Sequence, residues 1–526
     1  MLKVQALLQD VQIRVDGQLL PLIGCATLVL ALVPVLYIAL EQDIGIPLVR
    51  DTGKKRFQLS TFIAYFFHAD DVLREAYDTY LKHGRICRIP DKSFGTMIVL
   101  PNCHMRWMLS QPQSALDTRE AIVDIVQARW TVGHERYFTD EWHPGLLRRS
   151  TRSFMETEIP NFQEELELSL SSILGKDETN WKEVNLAKAV KLILIRSTSR
   201  YIVGSPLCGD DKFIKWTLIF MEVITPVGEI LRPMPQIFVQ IIGRVLAIPR
   251  SMVIGKLKGL LQSTYDERLN GLKNGQKPED GPKDFLQHLM RQLYEAKSPD
   301  LNLHFVTTHI VIFLMAASVQ LYMLTPHIIF DMLASDHEYG TMSQVQEELN
   351  ENFGPAKKNE PRWTRNDASK LIKLDSILRE SLRLNPLLSN SMSRKVMVSG
   401  LQTPDGYTLP KGSTVALLAR TVQKDPDIYP EPEKFVPFRF AGPDGKRLGV
   451  TSSEFLAFGH AQYGCPGRFL VAVELKMLLA YLFRHYEVEL PAEYDGKRPP
   501  AMWITDMKIP PQNGKIRLRK KPLSEI

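Results

Sequence analysis

The longest charge-free apolar stretch near the start of the chain runs from Leu19 to Leu40. A membrane-crossing helix needs about 20 apolar residues, so this stretch predicts an anchor. A cleaved signal peptide has a shorter apolar core and a small-residue cleavage site, and no convincing site follows Leu40. The pattern therefore predicts an N-terminal segment 1–18, a transmembrane anchor 19–40, a linker 41–60 and a large folded domain 61–526.

Charges on either side of the apolar stretch predict its orientation. Lys3 and Arg14 precede it, and a denser group of four Lys and Arg residues follows between positions 50 and 56. Because the more cationic flank stays on the cytoplasmic side, the large domain is expected to face the cytoplasm and residues 1–18 the lumen. This predicts a single-pass protein of an internal membrane, the endoplasmic reticulum.

The large domain changes character along its length. From position 61 to about 300 the apolar positions follow a mostly helical period. A second uncharged stretch, 301–330, carries too many Asn, His, Thr and Ser residues for a lipid environment, so it predicts a long helix inside the domain. From Gly400 onward, Gly and Pro punctuate short strand-like pieces. The fold class is therefore predicted to be mainly α with a smaller β-rich part.

Composition narrows the function classes. Lys and Arg total 65 against 59 Asp and Glu, giving a net charge of +6 that is spread along the chain, so a nucleic-acid partner is not expected. With 44% hydrophobic and 24% charged residues, the chain is globular rather than disordered or collagen-like. Its five cysteines are odd in number and widely spaced, which fits a reducing compartment.

Cys465 lies in a sequence context that favours a thiolate or a metal-bound sulfur. Residues 458–468 read FGHAQYGCPGR, and a strongly helical run, 469–483, follows. Cys465 therefore lies on a glycine-containing loop at a helix N-terminus, where free N–H groups stabilise a thiolate or a metal-bound sulfur. Two alternatives remain for Cys465. It could be a buried inert cysteine, or it could be a catalytic nucleophile activated by a nearby base. His460 is a candidate for that base, but the sequence does not place it beside Cys465.

Two further motifs occur upstream in a fixed order. Glu380-Ser-Leu-Arg383 lies in a helical stretch, and Pro437-Phe-Arg-Phe440 lies between it and Cys465. With the cysteine loop, they resemble the signatures of the cytochrome P-450 superfamily. The segments 429–435 and 465–469 are most similar to fungal terpenoid and secondary-metabolite members. The resemblance implies the mainly α P-450 fold and a haem-thiolate monooxygenase. It also implies haem b, O₂, NADPH supplied through a flavoprotein reductase, and a lipophilic terpenoid or meroterpenoid substrate at the membrane.

The resemblance also implies roles for individual residues. Cys465 is expected to be the axial ligand of the haem iron. The other expected haem-binding residues are Phe458, Gly459, Tyr463, Gly467, Arg394 and Arg148, the two arginines through the propionates. Glu380, Arg383 and Arg439 are expected to form a buried supporting network. Arg468 and Lys476, on the face nearest Cys465, are expected to meet an acidic reductase.

The chain departs from the family pattern in the cysteine loop. Ala461 and Tyr463 stand where the family usually has Gly and a basic residue. Ala461 adds a methyl group where a permissive backbone is expected. Tyr463 can donate one hydrogen bond to a propionate but carries no charge. These two positions favour an alternative, a non-catalytic haem-binding protein.

The central helix departs further. Ala317 belongs to the small pair of the family pattern, but Val319 and Gln320 replace its acid and threonine, and Ser318 lies beside them. Gln320, Ser318 and Ala317 are the candidate catalytic residues. Gln320 or Ser318 holding a water, or a substrate hydroxyl or carboxyl, would supply the proton. A haem-catalysed rearrangement, dehydration or peroxide-driven reaction is the alternative that needs no relay.

Overall fold

The computed structural model describes residues 44–50, 59–93, 95–140, 142–357 and 360–522. The predicted segments 1–18 and 19–40 lie outside these ranges. The α-helices are α1 Leu59–Phe67, α2 Ala69–Thr79, α3 Met105–Ser110, α4 Thr118–Val126, α5 Ala128–Thr131, α6 Arg136–Thr139, α7 His143–Ser153, α8 Ile159–Leu174, α9 Leu186–Ile202, α10 Asp211–Leu231, α11 Gln236–Lys273, α12 Phe285–Glu295, α13 Leu303–Tyr339, α14 Thr341–Phe353, α15 Arg365–Lys370, α16 Ile372–Leu384, α17 Ala419–Val422 and α18 Arg468–His485.

The strands of the described residues form four small sheets. They are β1 Cys87–Pro90, β2 Thr96–Val99, β3 Leu116–Asp117, β4 Lys182–Asn185, β5 Asn390–Val396, β6 Leu401–Gln402, β7 Thr408–Leu409, β8 Thr414–Leu418, β9 Tyr486–Glu489, β10 Met502–Ile504, β11 Met507–Ile509 and β12 Lys515–Lys520. The largest sheet has the order β1-β2-β8-β5-β3, a second has the order β4-β12-β9, and β6-β7 and β10-β11 are hairpins. The prediction of a mainly α fold with a smaller β-rich part is confirmed.

The long helix α13 crosses the interior. Asn302 caps its start by accepting a hydrogen bond from the Phe305 N–H at 3.0 Å, and Gly340 ends it with a left-handed φ of 56°. By length and composition, both α13 and the segment Phe238–Lys273 of α11 could cross a membrane. Most of the apolar part of α13 is buried against other helices. The predicted interior helix at 301–330 is therefore confirmed.

Part of the predicted linker belongs to the folded body. Residues 44–50 run beside β1, where the Val49 N–H donates to the Arg88 carbonyl at 2.9 Å and the Arg88 N–H donates to the Pro47 carbonyl at 2.7 Å. Ile46 and Val49 are fully buried. Residues 44–50 thus lie along the β1 edge of the five-stranded sheet.

Candidate active site

Cys465 lies at the start of α18 as the motif predicts. Its own N–H donates to the Phe458 carbonyl at 2.7 Å, which closes the loop 458–465, and Gly467 is the N-cap of the helix. Burial raises the pKa of the Cys465 thiol, while the N–H groups of Gly467 and Arg468 and the positive charge of Arg468 act in the opposite direction. A bound cationic metal would tip this balance to the thiolate, so the sulfur suits metal ligation better than free nucleophilic chemistry.

Two residues of the cysteine loop, Gly459 and Ala461, have left-handed backbone conformations. Gly459 has a left-handed φ of 70°, and a Cβ there would lie 3.0 Å from the Tyr463 carbonyl oxygen. Ala461 also adopts a left-handed φ, 52°, although it carries a Cβ. This conformation favours glycine, so the expectation that a permissive backbone is wanted at position 461 agrees with the geometry.

A cavity of about 1240 Å³ opens in front of the cysteine loop. It is larger than the roughly 300–1,000 Å³ typical of single small-molecule sites, so it has room for a large flat cofactor and a substrate together. Its wall combines the loop, β5, α13 and the β10-β11 hairpin. Among the lining residues are Cys465, Phe458, Gly459, Tyr463, Arg394, Gln320, Met323, Leu324, His327, Leu387 and Met507.

Arg394 supplies an unbalanced positive charge to this cavity. Its side chain is fully buried, and Nη1 donates to the Met108 carbonyl at 2.9 Å. Within the described part of the chain, Nε and Nη2 have no hydrogen-bond partner of regular geometry, although the nearby Tyr463 hydroxyl acts on the guanidinium. The guanidinium lies 3.9 Å from the ring centroid of Tyr463, and burial lowers its pKa. An anion would stabilise this buried cation, and a haem propionate carries such a charge.

Arg148 lies elsewhere. It is exposed on α7 and is not part of the cavity wall. The residues just before it, Trp142 and His143, pack against His309 of α13, with ring centroids 5.3 and 4.7 Å from it. The structure therefore places Arg394 in the cavity wall with Cys465 and Arg148 at the surface.

Glu380, Arg383 and Arg439 meet as the resemblance implies. Glu380 and Arg383 have no exposed side-chain surface. Arg383 donates through Nε and Nη2 to the two carboxyl oxygens of Glu380, at 2.7 and 2.9 Å. Arg439 Nε donates to the same carboxylate at 3.1 Å. Arg383 Nη1 also donates to the carbonyls of Gln423 and Pro432, each at 2.7 Å. The network thus ties α16 to the segment that runs toward the cysteine loop.

Two supporting residues belong to no motif of the sequence. Gln423 donates through Nε2 to the Arg383 carbonyl at 3.0 Å and accepts from the Leu456 N–H at 3.0 Å, two positions before Phe458. Arg379 is buried 3.8 Å from the ring centroid of Phe455 and donates to two loop carbonyls. The local sequence around Gln423 and Arg379 does not predict these supporting roles, because their partners are about 30 to 80 residues away in the chain.

Of the three catalytic candidates in α13, the structure brings Gln320 to the cavity. Its side chain is exposed there, one turn after the exposed Ala316. Ser318 is fully buried on another side of the helix, and its hydroxyl has no partner among the described residues. Ala317 packs against the helical core. A water held beside the iron by Ser318 is therefore not favoured by this geometry.

The expectation that Lys476 meets a reductase is wrong. Lys476 is buried, forms an ion pair with Asp375 and donates to the Ala368 carbonyl at 3.0 Å. The apolar period of α18 places it inside the domain, where its charge is matched by that carboxylate. Arg468 is also engaged, because it donates to the carbonyls of Gly449 and Cys465 at 3.0 and 2.8 Å and so holds the loop.

Similarity to known proteins agrees with this site. The family profile described as Cytochrome P450 matches residues 122–518. Cytochrome P450 monooxygenase pbrC of Penicillium brasilianum is 31% identical, with 92% of this chain and 93% of that protein covered. Cytochrome P450 monooxygenase astC of Aspergillus terreus is 31% identical, with coverage of 95% and 96%. Cytochrome P450 monooxygenase tenB of Beauveria bassiana is 32% identical, with coverage of 91% and 92%.

A solved structure supports the fold independently. Retinoic acid bound cyanobacterial CYP120A1 superposes with a TM-score of 0.63 at 19% identity, covering 87% of this chain and 96% of that one. At this identity the likeness shows the architecture alone. The family match, the relatives and the position of the cysteine loop in the cavity wall agree. This chain therefore belongs to the cytochrome P450 family, and its chemistry is that of an oxidoreductase of the monooxygenase type.

Proposed function

We propose that this chain is a membrane-anchored haem-thiolate monooxygenase that oxidises a lipophilic terpenoid or meroterpenoid in secondary-metabolite biosynthesis. One observation carries the proposal. Cys465 and the buried guanidinium of Arg394, two of whose N–H groups lack a regular hydrogen bond, both lie in the wall of one cavity. A thiolate and a buried guanidinium are what the iron and a propionate of haem b require. The fungal monooxygenases to which the chain is similar support the reaction type.

When bound, haem b would supply oxygen activation and substrate oxidation. Cys465 would hold the iron, and the N–H groups of Gly467 and Arg468 would moderate the electron donation of the sulfur. Arg394, held over the Tyr463 ring, would bind a propionate. Phe458 would pack beside the sulfur, and the Glu380 network would keep the loop from shifting. Electrons would come from NADPH through a flavoprotein reductase.

The cavity wall and the predicted anchor support this substrate class. Leu324, Met323, Leu387 and Met507 give the wall broad apolar areas, which suit a bulky hydrocarbon skeleton. An anchor at 19–40 would hold the cytoplasmic domain against the endoplasmic reticulum membrane, where such compounds partition. That segment lies outside the described residues, so its support is the sequence alone.

Gln320 gives a second candidate function some support. Its amide is the polar side chain that α13 presents to the cavity at the position of the family's threonine, and an amide is a poor acid. In a monooxygenase it would orient a water or a substrate hydroxyl that passes the proton. In the alternative reading, the enzyme rearranges or dehydrates its substrate and needs no relay.

The carbon-monoxide difference spectrum of the reduced, membrane-expressed protein tests the proposal. The expected result is a strongly red-shifted Soret band that Cys465→His abolishes and that Cys103→Ser, a change at an exposed cysteine, leaves intact. A well-folded wild-type protein with no haem band would overturn it. Substrate consumption that depends on NADPH and O₂ then separates oxygenation from rearrangement, which would continue without NADPH.

A further inference from the structure

A second cavity, separate from the one in front of Cys465, lies at the start of α13. Its volume is about 350 Å³, near the lower end of the range for small-molecule sites, and none of the described residues lines both cavities. Phe305 in its wall is fifteen positions before Gln320 on the same helix, which separates them by about 22 Å. The wall combines the α5–α6 connection, α6, α11 and the first turns of α13.

Arg250 in this wall occupies a position of α11 that faces the protein body. The other members of the same helical series are buried: Gly243, Ala247, Ile254, Leu257 and Leu261. They recur at intervals of three and four residues, the spacing of one helix face, and Arg250 falls in this series. The helix thus turns a guanidinium inward on a face that otherwise carries small or apolar residues.

No carboxylate matches the charge of Arg250 among the described residues. Its side-chain hydrogen bond is a long, solvent-exposed one, from Nη2 to Ser251 Oγ at 3.3 Å. Burial lowers the pKa of Arg250, and the group that acts in the opposite direction is Tyr137 rather than a carboxylate. The side chain is half-buried, so it remains accessible from the cavity. A partly desolvated cation without a counter-ion is stabilised when an anion binds.

The other guanidinium in the wall is already neutralised. Arg136 donates to both oxygens of Asp300, at 3.0 and 2.6 Å, and to Asp140 at 3.3 Å. Because these two carboxylates outnumber that one guanidinium, a second negative charge on a ligand would be repelled. A singly charged carboxylate therefore matches Arg250 better than a dianionic phosphate does.

An apolar surface lies beside Arg250. Tyr137 and Phe305 stack with ring centroids 5.2 Å apart and planes at 24°, and both side chains are mostly buried. Val132 and Ile254 are also buried and extend this part of the wall. Arg250 and Tyr137 act on each other's pKa, so the charge and the aromatic surface belong to one small site.

We propose that this cavity binds a small organic monocarboxylate, with the carboxylate on Arg250 and the apolar body against Tyr137 and Phe305. Guanidinium and carboxylate form short, charge-assisted hydrogen bonds, which the exposed end of Arg250 can donate. The site goes beyond the proposed function and does not depend on it. A ligand bound about 20 Å from the cysteine cavity is an accessory ligand and is not oxidised in place.

A pair of fluorinated probes tests the inference. Binding of 4-fluorobenzoate and of the neutral 4-fluorobenzamide to the purified full-length protein is followed by ¹⁹F NMR, and any Soret band reports binding in the haem cavity. The two probes share a ring and differ in charge. The variants are Arg250→Gln, which removes the unmatched charge, and Arg244→Gln, a change at an exposed arginine of the same helix.

The wild type and Arg244→Gln are expected to bind the benzoate more tightly than the benzamide, with no shift of the Soret band. Arg250→Gln should lose at least about tenfold of the benzoate affinity, the contribution of a hydrogen bond to a charged group, and should keep the benzamide affinity. Equal benzoate affinity in Arg250→Gln and the wild type would overturn the inference, as would a wild type that binds no benzoate.

A second measurement covers the case in which Arg250→Gln does not fold. Amide hydrogen–deuterium exchange of the wild type is compared with saturating benzoate and with benzamide. The benzoate should slow exchange in residues 131–137 and 302–308, which form the cavity wall, and leave the cysteine loop 458–468 unchanged. Slowing confined to the cysteine loop, or no slowing at the cavity wall, would also overturn the inference.

Discussion

Glu474 is a carboxyl group buried in α18, the helix that begins beside Cys465, and replacing it by glutamine should change how stability depends on pH. Its side chain is 1% exposed, and neither oxygen has a hydrogen-bond partner of regular geometry among the described residues. Burial raises the pKa of Glu474 from its usual 4.5 to about 8, partly offset by the nearby Tyr201 hydroxyl. The group is therefore neutral in the folded protein at pH 7 and ionised in the unfolded chain.

The direction and size of the pH effect on stability follow from the difference between the pKa of Glu474 in the folded and unfolded states. Between pH 4.5 and 8 the folded state holds a proton that the unfolded state has released, so stability from this group falls as pH rises and is fully lost above the folded pKa. At about 1.4 kcal/mol per pH unit, the loss between pH 5.5 and 8 is about 3 kcal/mol. This is a large share of the roughly 5–15 kcal/mol that stabilises a typical domain.

Glu474→Gln keeps the shape and removes the titration. The free energy of unfolding by guanidinium, followed by far-UV circular dichroism at pH 5.5 and pH 8, should fall by about 3 kcal/mol more in the wild type than in the variant. Packing differences cancel in this comparison because they are the same at both pH values. Glu493→Gln, a change at an exposed carboxylate, should behave like the wild type. Equal pH dependence of the wild type and Glu474→Gln would refute the reasoning.

Three other changes test the haem loop and its support. Ala461→Gly should stabilise the protein by up to about 1 kcal/mol and slow haem loss to apomyoglobin, because it relieves a left-handed alanine; unchanged loss rates would contradict the assigned strain. Arg383→Leu should cost about 3–5 kcal/mol, since it removes the bidentate partner of the buried Glu380 carboxylate and leaves it only the single ion-pair contact from Arg439 among the described residues, and the double change with Glu380→Leu should recover much of this in thermal melts. Arg394→Leu should accelerate haem loss at least tenfold while Arg148→Leu, at an exposed position, leaves it unchanged; equal effects would show that Arg394 does not hold a propionate.

Local motifs predicted the centre of the site well. The loop 458–468, the Glu380–Arg383 pair and Arg439 each lie within a few residues of the pattern that identifies them. The structure brings the three charged residues into one network and the loop to the wall of the cavity. The uncharged stretch 301–330, with its many Asn, His, Thr and Ser residues, likewise predicted the interior helix α13, whose apolar part is mostly buried. These features depend on short-range spacing, which a sequence displays directly.

Tertiary contacts decided what short-range spacing leaves open. Lys476 has the charge of a docking residue, yet Asp375, about 100 positions earlier in the chain, neutralises it inside the domain. Arg148 and Arg394 are alike as sequence, and only their surroundings distinguish an exposed arginine from a buried one with idle donors. Gln423 matters through two hydrogen bonds to distant backbone groups.

The sequence by itself determined the family signatures, the helical character of the body, the apolar stretch at 19–40 and the cysteine that suits iron. The tertiary structure decided which polar groups face the cavity: Gln320 does, and Ser318 does not. The physical reason is that helix period and loop motifs are local. Burial and hydrogen-bond partners depend on segments far apart in the chain, and these determine the charge, tautomer and reach of each side chain.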